Sequence, residues 1–132
     1  MPKFIFNKLV RDKLREEYAR LHHRATYREL GLGELIEKLQ AKIIEEAKEI
    51  PLAGTPQEIA AELADIQQVI DDIAETQGIT PEQIAQLQQQ KFEKKGGFTG
   101  ATFVEVLELD EDDEWTAYYR QSPEIFKEIK DE

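Results

Sequence analysis

The sequence contains no cysteine, so a disulfide framework, a thiolate metal site and a thiol nucleophile are all excluded. It also lacks any apolar run long enough to span a bilayer, and its N-terminus has no signal-peptide core. These absences predict a cytoplasmic protein with no membrane partner. The two histidines, His22 and His23, are adjacent. On a helix they would point in different directions, which is poor geometry for sharing a metal ion.

Basic residues are in the minority, with 17 Lys and Arg against 28 Asp and Glu and a net charge of −11. This balance argues against a nucleic-acid polymer as the main partner, because its phosphates would be repelled. Hydrophobic residues make up 40% of the 132 residues and charged residues 34%, which is typical of one globular domain with a modest core. No internal repeat or low-complexity linker interrupts the chain. We therefore predict a single domain over residues 1–132.

Apolar residues spaced by threes and fours predict a mainly helical chain. The segments Thr55-Pro56-Gln57-Glu58 and Thr80-Pro81-Glu82-Gln83 are both typical capping boxes with proline at the first helical position. The first box starts the third of four expected helices, and the second box starts the fourth. The first helix is expected to begin near Leu9 or Asp12 and to end near His23, and the second and third helices are expected over about residues 33–50 and 56–77.

Patterns in the C-terminal third are weaker. Residues 102–109 (TFVEVLEL) alternate apolar and polar side chains, which is compatible with a short strand. Residues 108–114 (ELDEDDE) are interpreted as a solvated acidic turn, and the aromatic segment from Trp115 onward predicts one or two short helices. The expected fold is therefore all-α, with four main helices and a small irregular or β C-terminal addition. No role is assigned to the tail, about residues 105–132.

Two pairs of carboxylates flank the connection between the second and third helices, and each pair has the i, i+3 spacing of one helix face. They are Glu46 with Glu49 and Glu62 with Asp65. At about 100° per residue, Glu46 and Glu62 fall within the apolar stripes of their helices. Converging acids repel one another or become protonated unless a cation is present. An all-oxygen ligand set favours Mg²⁺, with Mn²⁺ as the alternative. Ordinary solvated or salt-bridged acids are the competing interpretation.

Two basic segments are candidates for contact with phosphate oxygens, because lysine and arginine are the usual partners of phosphate. One is the N-terminal segment, and the other is the expected end of the fourth helix. The competing interpretations are a solvated N-terminus and ordinary capping of a helix end by lysine and glycine. The candidate residues are Asn7, Lys8 and Arg11 in the first segment and Lys91, Lys94 and Lys95 in the second.

Three motifs together resemble a known family. Glu45-Glu46-x-x-Glu49 followed by Glu62-x-x-Asp65 resembles the signature of the MazG-type all-α nucleotide pyrophosphohydrolases. Residues 7–13 (NKLVRDK) are similar to the opening motif of its predicted house-cleaning branch, and residues 91–98 (KFEKKGGF) resemble that branch's closing motif. The resemblance covers residues 7–98. The chain departs from the branch at Leu14-Arg15, where Ile-Pro is usual, and the tail is not covered.

The resemblance implies an enzyme that uses Mg²⁺ to hydrolyse an aberrant or surplus nucleoside triphosphate to the monophosphate and pyrophosphate. It implies a MazG-type fold similar to a four-helix bundle, assembled as a homodimer or a dimer of dimers. The implied metal ligands are Glu46, Glu49, Glu62 and Asp65. The implied catalytic residues are Glu46 and Glu45, and Glu45 would either orient the attacking water or simply lie on the surface. The implied substrate contacts are Asn7, Lys8, Arg11, Lys91, Lys94 and Lys95.

Two alternatives stay open from the sequence. A phosphoribosyl-ATP pyrophosphohydrolase shares the Glu-Glu-x-x-Glu style of motif, although the opening NKLVRDK segment favours the house-cleaning branch. A non-catalytic helical interaction module would keep the fold, tolerate substitution of the four acids and bind no divalent ion.

Overall fold

The structure is a computed structural model that describes residues 1–130. Within that range the chain forms five α-helices and one 3₁₀ turn, and it contains no strand. None of the described helices is long and apolar enough to cross a bilayer. The all-α prediction is therefore confirmed. The elements are α1 (Leu14–Arg20), α2 (Leu32–Glu49), the 3₁₀ turn (Ile50–Leu52), α3 (Pro56–Thr76), α4 (Pro81–Lys95) and α5 (Glu114–Arg120).

Side-chain caps set the starts of α3 and α4. The Glu58 backbone N–H donates to the Thr55 hydroxyl at 3.2 Å, and the Glu58 carboxylate accepts from the Gly54 N–H at 2.8 Å. At α4, the Gln83 N–H donates to the Thr80 hydroxyl at 3.2 Å, and the Thr80 N–H donates to Gln83 Oε1 at 2.8 Å. These bonds satisfy backbone donors that a first helical turn leaves without partners. Both helices therefore begin where the sequence predicts.

The packing of α2 against α3 is the main tertiary contact, and the 3₁₀ turn between them touches both helices. Leu39 of α2 is 4% exposed and Val69 of α3 is 7% exposed, so the apolar stripes of the two helices do meet. The connection is short, and it brings the end of α2 beside the start of α3. The predicted acid pairs lie on these adjoining turns, so the hairpin itself positions the candidate site.

The chain divides into two compact units, Met1–Lys94 and the segment from Lys95 onward. The first unit contains α1, α2, α3 and α4 up to its penultimate residue. The second contains α5 and irregular chain. All the acids of the candidate site belong to the first unit.

The second unit uses its acidic residues for local structure. Asp113 begins α5, because its carboxylate accepts a hydrogen bond from the Trp115 N–H at 2.8 Å. The Arg120 guanidinium at the other end of α5 donates to Glu111 at 2.6 Å and also to Glu128. These two partners raise the pKa of Arg120 above its usual range. Part of the acidic segment that the sequence analysis assigned to a solvated turn therefore caps and anchors α5.

Two local predictions need correction. The first helix is shorter than expected and covers only Leu14–Arg20, whereas the sequence predicts a start near Leu9 or Asp12 and an end near His23. It stops before His22, whose positive φ of 59° is incompatible with a right-handed helix. Residues 102–109 form no strand despite their alternation. A strand needs a partner to satisfy its backbone groups, and no other segment of the described chain supplies one. The β alternative for the C-terminal addition is therefore wrong, and the irregular alternative is the one observed.

We expect Leu39→Ala to lower the free energy of unfolding by about 2–4 kcal/mol, because it removes a buried side chain from the contact between α2 and α3. Chemical denaturation followed by circular dichroism measures the change. Leu87→Ala is the matched control, since Leu87 on α4 is 57% exposed. An equal loss in both variants would show that the α2–α3 contact is not the main source of stability.

Candidate metal centre

Three acidic side chains from two helices meet at the connected end of the hairpin. Glu46 comes from α2, and Glu62 and Asp65 come from α3. Each offers a carboxylate oxygen, and these three oxygens lie within 4.8 Å of one another. All three side chains are half-buried. We refer to these three residues as the acid cluster.

Glu62 has the least favourable environment in the acid cluster. Its Oε2 atom is buried and has no hydrogen-bond partner among the described residues. Burial raises the pKa of the Glu62 carboxyl, and the neighbouring Glu46 carboxylate raises it further, as do the charges of Asp65 and Glu49. A buried, unpaired carboxylate oxygen is costly. A proton or a cation bound at this oxygen would remove that cost.

The acid cluster fits a hard divalent cation. Its donors are all carboxylate oxygens, the ligand type that Mg²⁺ and Mn²⁺ prefer. The three oxygens lie within 4.8 Å of one another, close enough to converge on one cation. The unpaired oxygen of Glu62 points to the same conclusion, since no positive group of residues 1–130 bonds to it.

Glu49, the fourth predicted ligand, is not one of the three residues of the acid cluster but lies beside it. It is the last residue of α2, where the chain passes into the 3₁₀ turn, and it is exposed. Its charge still reaches Glu62, whose pKa it helps to raise. Glu49 lines an open depression of about 200 Å³ together with Leu52, Ala53, Glu58, Ala61 and Glu62.

Two cations of the N-terminal arm, residues 1–13, contact acids of the hairpin. The Lys8 ammonium donates to Glu45 Oε1 at 3.2 Å, and the Arg11 guanidinium donates to Asp65 Oδ1 at 2.6 Å. Both pairs are partly exposed, with the Arg11 and Asp65 side chains 60% and 40% accessible. The structure therefore brings Lys8 and Arg11 to the predicted site, where their partners are carboxylates.

Lys42 also belongs to this site, and the sequence analysis did not assign it a role. Its ammonium lies 3.4 Å from Glu45 and 3.8 Å from Glu46. The signal was present in the sequence, because Lys42 precedes these acids by three and four residues on one helix. Partial burial alone would raise the pKa of Glu45, but the bonds with Lys8 and Lys42 outweigh it and lower that pKa. Glu45 therefore stays ionised.

The remaining predicted substrate contacts have no described partner at the acid cluster. Asn7 is exposed and adopts the left-handed conformation that asparagine tolerates well, which turns the arm just before Lys8. Lys91 and Lys94 are exposed on the last turn of α4, and Lys95 is the final residue of that helix and belongs to the second unit. Their contact with phosphate stays a prediction.

No protein-family profile, curated protein or solved structure gives a significant match to this chain. The geometry of the first unit and the sequence motifs therefore carry the functional argument.

We expect Glu62→Gln to leave the metal-free protein at least as stable as the wild type, because it removes one of several like charges from a buried position. Mg²⁺ at ten times its dissociation constant should stabilise the wild type by about 1.4 kcal/mol and should not stabilise the variant. Thermal unfolding with Mg²⁺ and with chelator measures both effects. Glu37→Gln, the same change at an exposed position of α2, is the control and should keep the response. Full Mg²⁺ stabilisation of Glu62→Gln would remove Glu62 from the metal site.

Proposed function

We propose that the chain is a Mg²⁺-dependent nucleoside triphosphate pyrophosphohydrolase that releases pyrophosphate and a nucleoside monophosphate. The observation that carries the proposal is the acid cluster, in which a buried oxygen of Glu62 lacks a partner while Glu46 and Asp65 offer oxygens within 4.8 Å. The order of the three sequence motifs supports the same assignment, because the acid pairs lie between two segments rich in phosphate-binding residue types.

In the proposed mechanism, Glu46, Glu62 and Asp65 would hold the cation, and Glu49, whose charge reaches Glu62, would add to the negative charge around it. When bound, Mg²⁺ neutralises triphosphate oxygens and polarises the attacking water. Glu45 is the residue best suited to orient that water. The Lys42 ammonium lies 3.4 Å from Glu45 and 3.8 Å from Glu46, so the two carboxylates share one cation, and this contact helps to keep Glu45 ionised by lowering its pKa.

A carboxylate whose pKa is lowered is a weak base, so the proposed role of Glu45 is to accept a hydrogen bond and align the water rather than to remove its proton completely. Substrate phosphates approach from the side of the N-terminal arm, where Asn7, Lys8 and Arg11 can donate to them. The closing motif residues Lys91, Lys94 and Lys95 are proposed to stabilise the departing pyrophosphate.

We expect pyrophosphate release from at least one nucleoside triphosphate in a panel, with Mg²⁺ present and not with chelator. Glu46→Gln should reduce the rate to background while far-UV circular dichroism stays unchanged, because the variant loses a metal ligand on a helix whose core is untouched. Glu37→Gln is the control and should retain wild-type turnover. Near-wild-type turnover of Glu46→Gln would show that the acid cluster is not the catalytic centre.

The same assay separates the alternatives. Absence of release from the whole panel, with Mg²⁺-dependent stabilisation intact, would direct the search to phosphoribosyl-ATP as substrate. Absence of both release and stabilisation would favour a non-catalytic helical module.

We also propose that the chain functions as a homodimer or dimer of dimers. Apolar side chains on and beside the hairpin remain exposed, among them Ile44 at 58%, Leu63 at 52% and Leu52 at 76%. Covering such side chains with a second copy would stabilise both chains. Light scattering should return at least twice the mass of one chain, and a monomer at micromolar concentration would contradict this part of the proposal.

A further inference from the structure

We propose that the N-terminal arm is a built-in counter-ion for the acid cluster, which a divalent cation displaces, and that displacement frees Arg11 to bind the triphosphate. The inference rests on the proposed function, because it assumes that the acid cluster binds the cation. It goes further by giving the metal-free protein a defined arrangement and by making metal binding and phosphate binding depend on one side chain.

The geometry places the arm and the cation in competition. Arg11 donates to Oδ1 of Asp65 at 2.6 Å, and Asp65 is one of the three residues whose oxygens converge. A divalent cation bound to the same carboxylate would lie within a few ångströms of the guanidinium charge. The cation would withdraw negative charge from the Asp65 carboxylate and would repel the guanidinium, although water screens part of this repulsion at so exposed a pair. Binding of the cation therefore weakens the bond between Arg11 and Asp65.

The arm is attached weakly enough to be displaced. Its ion pairs are partly exposed, and pairs of this kind contribute little to stability because water screens them. Its apolar side chains bury little surface against the rest of the protein, since Phe4 is 82%, Ile5 is 89% and Phe6 is 59% exposed. Only Leu9 and Val10 are half-buried. Release of the two cations would therefore free the arm at little cost.

A freed Arg11 would suit the substrate. The guanidinium presents paired N–H donors that match the oxygens of a phosphate group. In the metal-free arrangement one N–H of this donor set is bonded to Asp65. When a cation binds the acid cluster, Arg11 loses its carboxylate partner and becomes available to a phosphate group. Binding of the cation therefore favours binding of the triphosphate. Such coupling is reciprocal, so triphosphate should also raise the affinity for the cation.

The first experiment follows the arm directly. The chain has no cysteine, so Ile5→Cys provides a single site for a nitroxide label on the arm. We expect the electron paramagnetic resonance spectrum of the label to become more mobile when Mg²⁺ is added. The same label in the Arg11→Gln background should be mobile from the start. A label at Gln90→Cys, an exposed position on α4, is the control and should not respond.

The second experiment measures competition without turnover. Arg11→Gln should bind Mn²⁺ about two- to five-fold more tightly than the wild type in calorimetry, the range expected for loss of an exposed competing pair. Arg28→Gln is the matched control, because it removes an arginine that bonds to Glu34 instead. Arg11→Gln should also weaken binding of inorganic tripolyphosphate when Mg²⁺ is present and should have little effect in chelator.

The outcomes separate this inference from the proposed function. Mn²⁺ binding to the wild type with an unchanged label spectrum, and with equal affinity in Arg11→Gln, would overturn the role of the arm and leave the metal site standing. Absence of Mn²⁺ binding in both the wild type and Arg11→Gln would overturn the metal site and the arm's role together. A mobile label and tighter Mn²⁺ binding in Arg11→Gln, with no change in Arg28→Gln, would support the inference.

Discussion

Repulsion among three half-buried carboxylates is the constraint on which the candidate site depends. Glu46, Glu62 and Asp65 converge from two helices, and a buried oxygen of Glu62 has no partner in the described chain. The protein offsets part of this charge at the edges of the cluster, where Lys42 approaches Glu46 and Arg11 bonds to Asp65. The centre is left without a positive group, which is the environment that a divalent cation would complete.

The hairpin of α2 and α3 holds the three carboxylates together with a small buried contact and one helix cap. Leu39 and Val69 are buried in the contact between the helices, and the reciprocal cap of Thr55 and Glu58 fixes where α3 begins. Because the connection is short, the acids near the end of α2 face those near the start of α3. The cluster is therefore set by local structure in the first unit.

Features of the fold that depend on residues close together in the sequence were predicted correctly. The capping boxes at Thr55 and Thr80 gave the starts of α3 and α4, and helical spacing brought Glu46 toward Glu62. The sequence did not predict features that depend on contacts between distant residues, such as the bonds from Arg11 to Asp65 and from Lys8 to Glu45. Periodicity also misled at residues 102–109, because alternation indicates a strand only where a partner strand exists. The resemblance to MazG-type enzymes remains a proposal that the acid cluster supports.

The most direct test of the account is a crystal structure of the protein grown with Mn²⁺ and recorded at the manganese absorption edge. We expect an anomalous peak within about 2.2 Å of oxygens from Glu46, Glu62 and Asp65, with the Arg11 guanidinium no longer bonded to Asp65. A folded protein with no peak at these residues, and with Arg11 still on Asp65 at saturating Mn²⁺, would contradict it.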